Sequence, residues 1–581
     1  MYPAAVYVAG FLAGLALWSH ISLPVHNPWG VVGLPAVQGF HPANNIVRFL
    51  ALIACPALAL LAAHRVWPGR LAAAARQEPV REAGRPLGGA LLVGLAALAG
   101  FNIPTYHAWG PMNRFHEGES LGTAVSHLHG KVPYEDYLFV HGVYQDPVRS
   151  AAAFRLFGRS IGSARALESV GKILSFALLG WLLWELFERR WRAAYGALLV
   201  VVVLHGLVAL EAMWLPLAPL RLLPRDVTAV AFLVALVRLY RRPDAGAGAL
   251  FAASFVPVAS FGYSIDRGFF LTATAVVGLA LLRLLVRREG RFWLPVLAGA
   301  AAGTAVVGWL LQWRFAEFAR FTFLIMPRYK EWMDGIAFPI GQAPMWGICA
   351  LAAANLFQLT RCFLAEGGRQ FLRKYFLELC LFCLSVFYFR AALGRADFVH
   401  VSVNSWPTYL LAFRLLVEPW LRGRVVGWAL KAGAVGLAAV CLVQIPRAGL
   451  WGQNFPVGRP DSKYLPPDYL QAAELVRQNL GPGESFFTLT SEALWYYLVD
   501  RPCPSRFPVV WFAAAWFYQQ EIIRDLERNN TKLVLYRNEA PSNRIDGISN
   551  EQRLPLVAAY LRARYEPWRQ IESHEIWIRR K

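Results

Sequence analysis

Residues 268 to 313 read GFFLTATAVVGLALLRLLVRREGRFWLPVLAGAAAGTAVVGWLLQW, and this stretch decides the fold class. Two apolar runs, 268 to 286 and 292 to 312, flank a short turn that carries Arg287, Arg288 and Arg291. Each run is close to the roughly 20 apolar residues a helix needs to cross a bilayer. The arginines mark the turn as one that the positive-inside rule keeps in the cytoplasm. Working outward, similar runs lie near 3 to 23, 47 to 66, 87 to 103, 165 to 187, 196 to 215, 226 to 240, 248 to 264, 344 to 363, 374 to 392, 405 to 420 and 425 to 445, about thirteen candidate spans in all.

Composition agrees. Of 581 residues, 56% are hydrophobic and 16% charged, with a mean hydropathy of +0.38, whereas ordinary globular chains carry about 25% charge. The formal net charge of +21 would suggest nucleic acid in a soluble protein. In a polytopic membrane protein it reflects basic cytoplasmic loops, so it does not argue for DNA or RNA. Six of the seven cysteines fall in or beside apolar segments, which excludes a disulfide framework, and Cys380 with Cys383 reads as ordinary buried thiols. Residues 1 to 10 have no basic region and the first apolar run is too long for a signal-peptide core, which predicts a retained helix.

Assigning alternate loops to one side collects Arg65, Arg70, Arg76, Arg81 and Arg85, then Arg189, Arg190 and Arg192, Arg241 and Arg242, Arg287, Arg288 and Arg291, Arg369, Arg373 and Lys374, and Arg422 and Arg424. These short basic loops place the N-terminus in the cytoplasm and everything after about 446 outside. The outer side then holds 24 to 46, 104 to 164, 216 to 226, 313 to 343, short turns at 265 to 268 and 393 to 404, and the tail. In the tail, Pro466 and Pro467 open a helix closed by Gly481, 485 to 489 and 532 to 536 read as buried strands, and 514 to 528 reads as a helix. The tail is therefore expected to be a small α/β domain.

Function is sought on the outer side. Segment 104 to 164 carries five carboxylates near the membrane, including Glu117, Glu119 and Asp136, with His116 and His141, and its stretches 121 to 129 and 148 to 157 read as interfacial amphipathic helices. Solvated loop acids are the bland alternative. The other outer turns add Arg221, Arg225 and Asp226, then Asp266 and Arg267, then Arg314, Arg320, Arg328 and Lys330, then Arg395, Asp397 and His400, where the positive-inside rule disfavours cations. Guanidinium forks match phosphate oxygens, so the set suggests an anionic lipid headgroup. The alternative is that each arginine pairs with its neighbour, as Arg267 with Asp266 or Arg395 with Asp397. His127 and His129 read as hydrogen-bonded loop residues rather than a zinc site. Among charged residues within the spans, Glu211 lies near the outer end, and Arg414 and Lys431 are expected to pair or snorkel.

These residues resemble the GT-C superfamily, multi-spanning glycosyltransferases that take a sugar from a polyprenyl-phosphate donor. The resemblance lies in Glu117-Gly118, Gly130 with Pro133-Tyr134 and Asp136, His141-Gly142, Leu156-Phe157-Gly158, Ser264 to Gly268, and Gly394-Arg395-Ala396-Asp397 with His400. In the tail it lies in Tyr496-Tyr497-Leu498, Asp500-Arg501-Pro502 and Pro504 to Phe507, as in bacterial relatives. It implies a GT-C-like transmembrane module over 87 to 445, two added N-terminal spans within 1 to 86, and an extracytoplasmic α/β domain over 446 to 581. It implies an enzyme of the bacterial inner membrane that transfers a sugar with inversion to the hydroxyl of a glycan, lipid or protein acceptor. No resident cofactor or metal is expected. His116 departs from the family by standing where an Asp is common. Glu117 is the first choice of base and Asp136 the second, with His116 or Glu119 orienting base or acceptor. Arg267, Asp266, Arg395, His400, Arg221, Arg225, Arg328 and His141 are expected to hold the substrate. A lipid or glycan transporter or flippase is the rival, disfavoured because polar content gathers at one face. A non-catalytic assembly subunit is the second rival.

Overall fold

The computed structural model describes residues 2–68, 86–103, 110–209, 219–241, 246–285, 291–421, 423–537 and 543–581. The expectations for Arg70, Arg76, Arg81, Arg85, Glu211, Arg242, Arg287, Arg288 and Arg422 lie outside the described residues.

Each of the thirteen apolar runs contains helix within its described part. Seven helices among the described residues are long and apolar enough to cross a membrane: Asn44–Val66, Ile161–Leu186, Ile265–Leu285, Trp293–Leu310, Ala343–Glu366, Phe376–Gly394 and Arg424–Arg447. Tyr2–Trp18, Pro86–Asn102, Trp191–Gly206 and Ala247–Tyr263 are apolar but shorter. The chain is a polytopic α-helical integral membrane protein. Two runs differ from simple spans. Val227–Arg241 has 15 residues, and the run from 405 to 420 breaks into Trp406–Ala412, a π turn at Phe413–Val417 and a 3₁₀ turn at Glu418–Trp420. Residues 401 to 415 are buried by protein, so their apolar character serves internal packing rather than contact with lipid.

Small residues set the helix crossings. A Cβ on Gly10 would lie 2.5 Å from the Cα of Pro56, and one on Gly299 would lie 2.3 Å from the carbonyl oxygen of Phe251. Backbones that close need glycine, the usual device where lipid supplies no hydrophobic drive between helices. Arg414 pairs with Glu378 at 2.7 Å, both buried, and Lys431 lies over the Trp191 and Trp428 rings.

The C-terminal region carries a four-stranded sheet of order β1-β2-β6-β5, built from β1 (Phe486–Leu489), β2 (Leu533–Arg537), β5 (Tyr565–Ile571) and β6 (His574–Arg579), with a two-stranded ribbon of β3 (Arg544–Ile545) and β4 (Ile548–Ser549) between. β1 and β2 run parallel and are the two strands expected from sequence, flanked by the expected helices Pro467–Gln478 and Trp516–Arg528. The β5–β6 hairpin was not expected: its residues are polar with apolar ones alternating, as in Glu575-Ile576-Trp577-Ile578-Arg579, so they form no apolar run. Two main hydrophobic cores result. One lies among the spans, and the other joins outer-loop residues such as Leu121, Val125 and Tyr137 to Leu494, Trp495, Leu533 and Ile576 of the sheet region.

Candidate active site

The segment 104 to 164 carries two helices, His116–Leu128 and Arg149–Phe157. Asn113 closes the start of the first: its Oδ1 accepts from the His116 amide at 3.0 Å, and its own amide donates to Glu117 Oε1 at 2.8 Å. Rather than floating at an interface, this helix is buried from Glu117 to Ser126, wedged between its sister helix and the segment Leu494–Val499. Gly118 lies inside the helix, where a Cβ would sit 3.0 Å from the Leu494 backbone nitrogen, so its smallness permits close packing.

The helix sorts its carboxylates, because residues two apart point to different sides. Glu117 turns away from the outer turns and receives both forks of Arg165, at 2.7 and 2.9 Å, in a buried bidentate pair. Glu119 turns the other way. It is 3% exposed, and its Oε2 takes no hydrogen bond while lying 3.6 Å from His116 Nδ1 and 3.7 Å from His141 Nδ1. His141 is held by Asp146, whose Oδ1 is 3.1 Å from Nδ1 and whose Oδ2 accepts from the His141 amide. Burial would lower the His141 pKa, but the charges of Asp146 and Glu119 outweigh it and, with Arg225 opposing, raise it to about 9. The imidazole is therefore a cation at neutral pH.

Gly142 joins this group to the outer turns. Its φ is +145°, and a Cβ there would lie 2.6 Å from the Tyr263 carbonyl oxygen and 2.8 Å from Ser264 Cα. Next to it, the His141 carbonyl accepts from the Ile265 amide at 2.7 Å, and Tyr144 stacks on Tyr263. The outer turn expected at 265 to 268 is shorter than that: Ser264 alone breaks the chain between the helices Ala247–Tyr263 and Ile265–Leu285. Asp266 therefore opens a helix, where its carboxylate accepts from Ser264 Oγ, the Arg267 amide and Arg267 Nη1. It also lies 3.5 Å from Arg225.

Arg267 is 0% exposed. It bonds Asp226 at 2.9 Å, Asp266 at 2.9 Å and Asn404 at 3.2 Å, lies over the Tyr388 ring, and so ties three elements together. Arg395 engages Asp546 through two 2.8 Å bonds and Asp397 through a third at 3.1 Å. The two arginines sit at opposite ends of the short helix Phe398–Asn404, one on its Asn404 end and the other on its Asp397 cap. Each arginine pairs with its sequence neighbour, Asp266 or Asp397, and also with a distant acid, Asp226 or Asp546. His400 bonds Asp397, whose carboxyl burial would raise but which His400 and Arg395 lower to about 2. Arg221 donates its amide to the Ser402 carbonyl, and Arg328 is exposed on the helix Met326–Asp334.

Asp136 stands apart from this group. Its Oδ2 accepts from the Val132 amide, and it faces a groove shared with residues 504 to 528. His127 bonds Tyr137 and His129 bonds the Val125 carbonyl. Of the expected residues, the structure thus brings together His116, Glu119, His141, Arg225, Asp266 and Arg267. Sequence reading did not single out Asp146 as a site residue, nor Asp226, Arg165, Asn404 or Tyr388. A buried acid five positions after a histidine, or directly after an arginine, carries no periodic signal. Only the fold shows which way it points.

No protein-family model and no curated protein matches the chain. Among solved structures it is similar to the crystal structure of ArnT from Cupriavidus metallidurans in the apo state, with 14% sequence identity and a TM-score of 0.46 over 84% of this chain and 97% of that one. The crystal structure of ArnT from the same organism bound to undecaprenyl phosphate aligns with the same identity and coverage and a TM-score of 0.45.

Proposed function

We propose that the chain is a membrane glycosyltransferase of the GT-C kind, moving a sugar from a polyprenyl-phosphate donor to an acceptor hydroxyl, with inversion, at the extracytoplasmic face of a bacterial inner membrane. One observation carries the reading. At the outer end of the spans, Glu119 keeps a carboxylate oxygen without a hydrogen bond beside a cationic His141 and within the field of Arg225. A neutral hydroxyl attacks C1 weakly, so a carboxylate must take its proton as the new bond forms. A departing lipid phosphate needs fixed positive charge, which His141 and Arg225 supply in a site already ordered.

The roles follow from access. Glu119 is the base, and His116, half-exposed at the rim, meets the acceptor. Asp266 and Arg267 are positioning residues that aim Arg225, because Arg267 is sealed from any ligand and Asp266 holds Arg225 on its solvent side. Glu117, locked by Arg165, anchors the helix. A transporter would need polar groups along a path through the spans, whereas this cluster is confined to one end.

The test uses purified protein in nanodiscs, undecaprenyl phosphate as the lipid probe, and release of that lipid from an undecaprenyl-phosphate-linked hexose as the turnover readout. Glu119→Gln should fold, bind undecaprenyl phosphate as before, and lose turnover by at least about 10²-fold. Near-normal turnover in Glu119→Gln would remove Glu119 as the base. If Glu117→Gln alone abolished turnover at unchanged thermal stability, the role would pass to Glu117.

A further inference from the structure

The turn 131 to 136 and the segment 504 to 528 enclose a groove of about 600 Å³, well within the range of small-molecule sites. We propose that this groove binds a saccharide, a neutral polyhydroxyl chain forming the distal part of the acceptor; the word acceptor rests on the transferase reading, while the binding itself does not. Four basic and four acidic side chains line it, with Pro504 as the lone apolar residue. That lining rejects two ligand classes. An apolar segment finds little to cover, and the lining as a whole carries no net charge to favour an ion of either sign. A sugar, by contrast, offers donors and acceptors on every carbon and can use both signs.

The floor is rigid and its rim is open. Arg506 bonds Glu521 and the Tyr134 carbonyl and reaches Glu317 at 3.3 Å. Asp525 pairs with Arg528 at 2.8 Å, and Lys131 donates to the Cys503 carbonyl. Groups fixed in this way cost little ordering on binding. Glu135 and Arg524 also line the groove and are exposed. A carboxylate and a guanidinium each present paired atoms that match vicinal hydroxyls. His141 lies five positions after Asp136, so at no more than about 3.6 Å per residue the two backbone positions lie within about 18 Å, a span that an oligosaccharide can bridge.

The experiment is saturation-transfer NMR on the full chain in detergent, with maltotriose, cellotriose and chitotriose as neutral probes and a heparin disaccharide and tri-lysine as charged ones. At least one neutral probe should bind, and Arg524→Ala and Glu135→Gln should each weaken it by about tenfold, the scale of one hydrogen bond to a charged group. Both variants should leave undecaprenyl phosphate binding unchanged. The proposal is overturned if no neutral probe binds, if both variants bind it as well as the parent, or if a charged probe binds more tightly. Undecaprenyl phosphate binding on the same samples reports on the transferase reading separately. Its absence with saccharide binding intact would remove that reading and leave the groove a saccharide site.

Discussion

His141 shows how a single side chain acquires a task from its neighbours. An unperturbed imidazole is mostly neutral above pH 7, but between Asp146 and Glu119 this one holds its proton up to about pH 9. Because the folded value lies above the unfolded one, the charge contributes its full stabilisation below about pH 6.5 and loses it as pH rises through about 9. Phosphate binding that uses this cation should follow the same curve. Undecaprenyl phosphate affinity, measured in nanodiscs from pH 7 to 10, should fall on the alkaline side in the parent. In His141→Gln it should be weaker at pH 7 and flat across the range, since the cation whose titration sets the curve is gone. An unchanged alkaline fall in His141→Gln would assign the titration to another group. The sequence displayed His141 and Gly142 plainly, and the family resemblance put Glu117 ahead of Glu119 as the base. That choice depends on which side of a buried helix meets Arg165.

At the scale of elements, the helix His116–Leu128 carries the candidate base, and Gly122 helps set its position. A Cβ on Gly122 would lie 2.2 Å from the carbonyl oxygen of Ala493, which is backbone and cannot swing aside. Gly122→Val should therefore push the helix off the segment Leu494–Val499, costing about 1 to 3 kcal/mol as overpacking does and shifting Glu119 away from His141. A lowered thermal midpoint together with lost turnover is expected. Gly110→Ala, where a Cβ meets nothing within 4 Å, should do neither. A stable, active Gly122→Val would show that the helix has slack. Spans were legible from sequence because lipid demands long apolar runs. The β5–β6 hairpin was hidden because a short, half-exposed strand pair buries only alternate residues. The run from 405 to 420 looks like a simple span in sequence because burial in protein and burial in lipid select the same side chains.

The whole molecule has two chemically different ends. At one, the described loops are short and basic, with Arg65, Arg189, Arg190, Arg369, Arg373 and Lys374. At the other, the N-terminal segment, the outer loop, the segment 311 to 335 and the sheet region share bonds: Arg553 donates to the carbonyls of Val32 and Met333, Arg395 clamps Asp546, and Tyr329 donates to Phe512. Arginine excess fixes orientation because translocating short basic loops is disfavoured, so the basic end should face the cytoplasm and the sheet region should lie outside. Single cysteines at exposed Arg369 and Glu572 distinguish the ends, with the native cysteines lying in apolar segments or, like Cys503, buried. In intact cells a membrane-impermeant maleimide should label Glu572→Cys and leave Arg369→Cys unlabelled until the cells are opened. The reverse pattern would put Glu119 and His141 on the cytoplasmic side. An extracytoplasmic transfer would then be ruled out, however well the cluster suits the chemistry.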